Sequence, residues 1–210
     1  MSPPPSPPEP ARATEPKRER GRQRVAAIMD AAVAVFTEKG YDAATMTEIA
    51  ARSATAIGSL YRFFPTKEAL ADALLQRYAL QAQNGLAELR QQVPEMTLDA
   101  TADALVDFVL VLQSQRSFAT ALVDARSGSE DQRARFREAM RGGIAGILAG
   151  AIMGLKPARA KVMAVVLLHM LKGVTTIANE EPATRALLLA ELRDLVRLYL
   201  VSASERAATK

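Results

Sequence analysis

The residues best equipped for chemistry lie close together. From Thr45 to Phe64 the chain reads TMTEIAARSATAIGSLYRFF. Thr45-Met46-Thr47-Glu48 is a capping box, a threonine N-cap with a glutamate three residues on, and it opens a short helix to about Ser53. Ala54-Thr55-Ala56 interrupts the pattern. Ile57–Phe63 forms a second short helix, stopped at Phe64-Pro65-Thr66 because proline cannot continue it. Two short helices joined by a three-residue turn, packed on a longer first helix, describe a helix-turn-helix unit. The second helix of such a unit can enter the major groove of DNA, which is about 12 Å wide. Ile49, Ala50, Leu60 and Phe64 supply a small core. Ile57, Ser59, Tyr61 and Arg62 are short or polar enough to face outward, and Gly58 would let backbone approach DNA closely.

Other chemistry is poorly provided for. The chain has no cysteine and one histidine, His169. Disulfides, thiolate metal sites and cysteine nucleophiles are therefore excluded. No nucleophile–base pair, metal-ligand cluster or phosphate loop is visible. The reading is of a protein that is not an enzyme, with no cofactor and no metal.

The elements that position the motif are helical throughout. Apolar residues make up 49% of the 210 residues and aromatics only 5%, and the abundance of Ala and Leu favours helix over sheet. Residues 1–20 are Pro-rich and charged, and read as a disordered arm. Val25, Ile28, Ala32 and Phe36 mark one face of a first helix over 22–39, with Gly40 as its stop. Thr66 caps a long helix over 67–92, ended before Pro94. Thr97 caps one to about Gln113, and a shorter helix lies near 116–124. Ser129-Glu130-Asp131-Gln132 opens one to about 153, and Pro157 starts another reaching Ala178. After a loop at Asn179–Pro182, Thr184 caps a last helix to about Ser202. The fold class is all-α with about nine helices. The domains are an arm (1–20), a three-helix DNA-binding domain (21–66), a connecting helix (67–92) and a helical ligand-binding and dimerisation domain (93–210).

Charge placement agrees with the motif. Residues 1–24 carry six Lys/Arg against three Asp/Glu, whereas residues 25–210 carry twenty-one against twenty. A basic arm suits phosphate contact, and equally suits a solvated tail. The longest uncharged runs, Gly142–Leu155 and Val162–Leu171, are shorter than the roughly 20 residues of a membrane span. With no apolar leader visible, no membrane partner and a cytoplasmic location are expected.

Ala31-Ala32, Phe36, Lys39-Gly40-Tyr41, Thr45-Met46-Thr47-Glu48-Ile49-Ala50 and Gly58-Ser59-Leu60-Tyr61-Arg62-Phe63-Phe64-Pro65-Thr66-Lys67-Glu68-Ala69-Leu70 occur in this order and spacing. On these pieces Arg22–Leu75, about a quarter of the chain, resembles the DNA-binding region of the TetR family of bacterial regulators. The resemblance implies that Thr45 and Thr47 touch phosphate and that Ser59 and Arg62 face base edges or backbone. It implies that the Tyr61 hydroxyl and Lys67 each meet a phosphate, the latter helped by a helix N-terminus. Thr55, Ile57 and Gly58 complete the candidate DNA-binding set. The turn departs from the family's usual Ala-Gly-Val-Ser: it reads Ser53-Ala54-Thr55-Ala56. It lacks the turn glycine at 54 and an N-cap oxygen at 56, which is typically worth about 1 kcal/mol. Thr55 is the nearest hydroxyl able to cap instead.

Of Leu187–Val201 only Glu191, Arg193, Asp194 and Arg197 are charged, an apolar surface too wide for a helix with one buried face. With the equally apolar 157–178, it suggests a four-helix homodimer interface, which the resemblance also implies. The interface candidates are Leu188, Leu192, Leu195, Val196 and Tyr199. A two-fold dimer calls for a near-palindromic operator in double-stranded DNA. Gly142, Gly146, Gly150 and Gly154 recur every four residues, for close helix packing or as a wall beside a cavity. The resemblance implies a small-molecule effector; candidate lining residues are Phe108, Leu112, Arg116, Phe118, Met140, Met163, His169 and Met170, most of which could equally be core. The function expected is sequence-specific transcriptional repression relieved by a ligand. The alternative is a DNA-binding activator or interaction protein whose C-terminal domain binds a protein.

Overall fold

The computed structural model describes residues 15–114, 119, 122, 130–171, 173, 177 and 180–209. Among them every regular element is helical: α1 (Glu15–Ala43), α2 (Met46–Arg52), α3 (Ile57–Phe63), α4 (Lys67–Gln92), a 3-10 turn (Val93–Glu95), α5 (Leu98–Ser114), α6 (Glu130–Ala151), α7 (Pro157–Leu171) and α8 (Pro182–Ala208). That is eight α-helices against the nine expected, and the segment expected near 116–124 falls largely outside the described residues. The chain divides into two compact units, Met1–Asp72 and Ala73–Lys210. The division falls inside α4, so the first turn of that helix belongs with the first unit.

In the first unit α1 begins at Glu15, earlier than the periodicity of its apolar face suggests. The residues from 15 to 20, expected as part of a disordered arm, are therefore helical. Their helicity is local: Arg22 donates to the Glu19 carboxylate at 2.6 and 3.0 Å, and Gln23 donates to it at 3.3 Å. Such i,i+3 and i,i+4 pairs support a helix locally, and Pro16 sits in the first turn, where proline is tolerated. At Gly40 the helix breaks, with φ 78° and ψ 167°. Only glycine adopts that geometry without strain. Ile28, Ala32, Val35 and Phe36 turn inward on α1 and meet a buried set that includes Ile49, Leu60 and Leu70.

In the second unit one core runs through α4–α8. Leu105, Ile144, Ile147, Leu148, Ala164, Leu167, Val196 and Leu200 are fully buried in it. The caps expected at Thr66 and Thr97 are present: their hydroxyls accept from Ala69 N and Ala100 N, both at 3.1 Å. The last helix starts at Pro182 rather than beyond Thr184, with proline in the first turn and Glu181 as a cap that makes no side-chain bond. Polar clamps join it to α5. Arg197 grips Asp103 at 2.6 and 2.8 Å, and Arg193 reaches both Asp103 and Asp107. The Arg197 guanidinium, with help from Arg193, holds the Asp103 carboxyl below the usual aspartate range.

The glycines of α6 pack it tightly: Gly146 and Gly150 do so as expected, and Gly143 takes the place expected of Gly142. A Cβ on Gly143 would lie 2.5 Å from Leu86 Cδ1 and 3.1 Å from its Cβ; one on Gly146 or Gly150 would lie 3.3 Å from Arg90 or Val93. Gly142 faces open space, and Gly154 lies past the helix end at φ 77°. Gly142→Ala should therefore stabilise the protein by up to about 1 kcal/mol through helix propensity alone. Gly143→Ala should instead destabilise it by about 1–3 kcal/mol through overpacking against Leu86. Paired denaturant titrations check the opposite signs.

Candidate nucleic-acid interface

The reading unit is built from its caps inward. Thr45 is the N-cap of α2 and both halves of the capping box form: its hydroxyl accepts from Glu48 N at 3.2 Å, and the Glu48 carboxylate accepts from Thr45 N at 3.1 Å. Lys39 of α1 also donates to Glu48, and Arg52 of α2 donates to Glu38 of α1 at 2.6 Å. Lys39 first, then Thr45, holds the Glu48 carboxyl below its ordinary range. These ties bind α2 to α1 and fix the platform from which α3 projects.

The turn between α2 and α3 forms despite its unusual residues. Ala54 N donates to Ala51 O at 3.2 Å and Thr55 N donates to Ala50 O at 2.9 Å. That is the Schellman pattern of a helix C-terminus, and its left-handed position is filled by Ala54 at φ 49°. The family's glycine would sit there without strain. Thr55 does not cap α3. It is buried, its hydroxyl donates to Ser53 O at 3.2 Å, and Ala56 is an N-cap with no side-chain bond. Thr55 thus belongs to the turn's interior rather than to a DNA-facing surface, which corrects the expectation for it. Ala54→Gly and Ala56→Ser should each stabilise this unit by about 1 kcal/mol, the first by relieving a left-handed alanine and the second by adding a cap. Thermal melting of the double variant, rising by several degrees, checks both.

On α3 the division of faces is as expected. Leu60 is fully buried and Phe64 is 7% exposed, whereas Ile57 is 41% and Tyr61 47% exposed. Gly58 and Arg62 are also exposed and Ser59 is half-buried; Thr45 and Thr47 are exposed on α2. A Cβ at Gly58 would meet nothing within 4 Å. The Arg62 guanidinium lies 5.3 Å from the Phe63 ring centroid. Thr45, Thr47, Ile57, Gly58, Ser59, Tyr61 and Arg62 therefore stand on the outer side of two short helices. Lys67 does not join them freely: its ammonium donates to the carbonyls of Tyr41, Asp42 and Ala44. Spacing alone could not reveal these internal bonds, whose partners lie 23 to 26 positions away.

In the second unit the interface candidates separate. Leu192 and Val196 are buried in their own core and Tyr199 packs against it, so the first two are not available to a partner. Leu188 and Leu195 are exposed, and so are Leu187, Leu198 and Val201. Spacing decides this: Leu192, Val196, Leu200 and Ala203 form the inward stripe of α8. Of the pocket candidates, Met140 and Met163 are buried within the core, and Phe108, Leu112 and Met170 pack against it. Phe108 owes its place to Gly85, where a Cβ would lie 2.8 Å from the ring. His169 is exposed, with Nδ1 2.7 Å from Val165 O, on the side of α7 that carries Val162 and Val166. That position does not suit an enclosed pocket. Arg116 and Phe118 lie outside the described residues. Among the described residues no group of His, Cys, Asp and Glu could hold a metal ion, and no helix is long and apolar enough to cross a membrane.

Comparison with known proteins agrees with this architecture. Residues 28–74 match the family model described as bacterial regulatory proteins, tetR family, and residues 97–200 match the tetracyclin repressor-like C-terminal domain. The HTH-type transcriptional repressor KstR of Mycolicibacterium smegmatis is 41% identical over 59 residues, 28% of this chain and 29% of that protein. An HTH-type transcriptional regulator of Mycobacterium bovis is 36% identical over 108 residues, 49% of this chain and 57% of that protein. The matches thus span between about a quarter and just over half of these relatives' lengths. A TetR transcriptional regulator from Legionella pneumophila has the same fold, with a TM-score of 0.60 at 18% identity over 84% of this chain and 94% of that one. With both the N-terminal and C-terminal domain models matched in order, the chain belongs to the TetR family of bacterial regulatory proteins.

Proposed function

We propose that the protein is a dimeric transcriptional repressor that binds a near-palindromic operator through α3 and leaves it when a small molecule binds the second unit. The observation that carries the reading is the two-sided character of α3. Leu60 anchors it in the core while Ile57, Gly58, Tyr61 and Arg62 stay exposed on a helix short enough to sit in the major groove. Arg62 suits guanine or phosphate, Ile57 suits a thymine methyl, and the Tyr61 hydroxyl suits a phosphate oxygen. Thr45 and Thr47 offer hydroxyls to the flanking backbone. The basic start of α1, with Arg20 and Arg24 exposed, adds sequence-independent attraction.

The dimer is supported by leucines and valines that the second unit leaves exposed: Val162 and Val166 on α7, and Leu187, Leu195, Leu198 and Val201 on α8. Covering them with a second copy would place two reading helices on successive half-sites. Release would act through α4, which starts in the first unit and continues in the second. Phe108, Leu112 and Met170, with Arg116 and Phe118, are the residues we assign to the effector's surroundings. A ligand favouring one path of α4 need supply only about 1–3 kcal/mol of coupling to change DNA affinity roughly 5–150-fold.

The test is binding of the purified protein to the DNA beside its own gene at several salt concentrations. Salt-sensitive, sequence-preferring binding that weakens in Tyr61→Phe is expected. Equal affinity for unrelated duplexes would overturn the reading, and an unchanged Tyr61→Phe would remove the phosphate role of that hydroxyl.

A further inference from the structure

Lys67 makes more defined polar contacts than any residue on the outward face of α3. Its ammonium donates to Tyr41 O at 2.8 Å, Ala44 O at 3.1 Å and Asp42 O at 3.2 Å. It also stands 4.6 Å from the Tyr41 ring centroid. An ammonium has three hydrogens to donate, and all three are engaged. The acceptors are carbonyls that need donors: they lie just past Gly40, where the φ of 78° takes the chain out of the α1 ladder. The carbonyl end of a helix also attracts a cation. The buried Tyr41 is held a second time, its hydroxyl donating to the Glu68 carboxylate at 3.2 Å. The residue after Ala44 is Thr45, the N-cap that sets where α2 begins.

We propose that Lys67 is a positioning residue of the reading unit: it clips the 41–44 segment to the start of α4 and thereby fixes the N-terminus of α2, instead of neutralising a phosphate. A phosphate contact would require it to give up at least one carbonyl. The consequence for DNA rests on the DNA-binding reading above; the clip itself does not.

The experiment compares Lys67→Arg and Lys67→Met with wild type, binding one selected duplex across a salt series at a temperature where circular dichroism shows each protein folded. Arginine keeps the charge but its planar fork cannot aim three donors at carbonyls converging on one point. Both variants should lose about tenfold or more in affinity, the scale of one well-placed contact, with the slope of log K against log salt unchanged. Full rescue by arginine with a slope flattened by about 0.9 in Lys67→Met, the signature of one lost phosphate, would overturn the proposal. So would unchanged affinity in the folded variants, which would leave a purely structural contact. Nuclear magnetic resonance of the wild-type ammonium protons covers the case of a variant that does not fold. They should exchange slowly and show contacts to residues 41–44 both free and on DNA, and their transfer to a phosphate on DNA would count against the clip. Absence of DNA binding by wild type would defeat the functional reading, while the ammonium signal in the free protein still decides whether the clip exists.

Discussion

Leu195→Glu and Leu198→Glu, introduced together, should convert the protein to a folded monomer and reduce operator affinity by roughly 10²–10⁴-fold, the gain expected from binding two linked half-sites instead of one. Both leucines are more than half exposed in the isolated chain, so the glutamates disturb little internal packing. In a dimer they would place four carboxylates in an apolar seam, where unpaired charge is strongly disfavoured. Sedimentation or light scattering reads the mass and a duplex titration reads the affinity. A double variant that remains dimeric would move the interface elsewhere. One that becomes monomeric yet holds its operator as tightly would remove the dimer from the mechanism.

Leu60→Ala should have the opposite signature. Leu60 has no exposure and is the buried anchor of α3, and a leucine-to-alanine change in a packed core costs about 2–5 kcal/mol. The first unit is small, and a domain of that size has little stability in reserve. The variant should melt at least 10 °C lower in this unit, on the scale of several degrees per kcal/mol for a small domain, and lose sequence-specific binding. The second unit should keep its melting transition and its dimer. A parallel fall in both transitions would show instead that the two units unfold as one.

The contrast between these variants follows from what the sequence displays and what it conceals. The capping box at Thr45–Glu48, the stop at Pro65 and the small core of Ile49, Ala50, Leu60 and Phe64 were all legible, because each depends on residues a few positions apart. The outward set on α3 was legible for the same reason. The carbonyl contacts of Lys67 were not: its partners are 23 to 26 positions away, and nothing next to a lysine at a helix start announces them. Thr55 misled similarly, since a hydroxyl in a turn can point out or in, and the Schellman geometry buries it. On α8 the residue types announced two apolar faces but not which leucines belonged to each. The inward set, Leu192, Val196, Leu200 and Ala203, has the four-, four- and three-residue spacing of a single helix stripe, so counting the register would have placed Leu198 and Val201 outside it. The clamp of Arg193 and Arg197 on Asp103 and Asp107 spans some 90 positions, and no local signal marks it.

The central claim is that exposed residues of α3 read DNA in a two-fold arrangement. Selection of binding sites from a pool of random duplexes, with wild type and Arg62→Ala in parallel, tests it most directly. Wild type should enrich an inverted repeat whose half-sites are centred about 10 base pairs, or a simple multiple, apart. Arg62→Ala should lose preference at one symmetric position in each half while the spacing is retained. Enrichment of no sequence, of an unpaired half-site, or of the same repeat with undiminished preference in Arg62→Ala would contradict it.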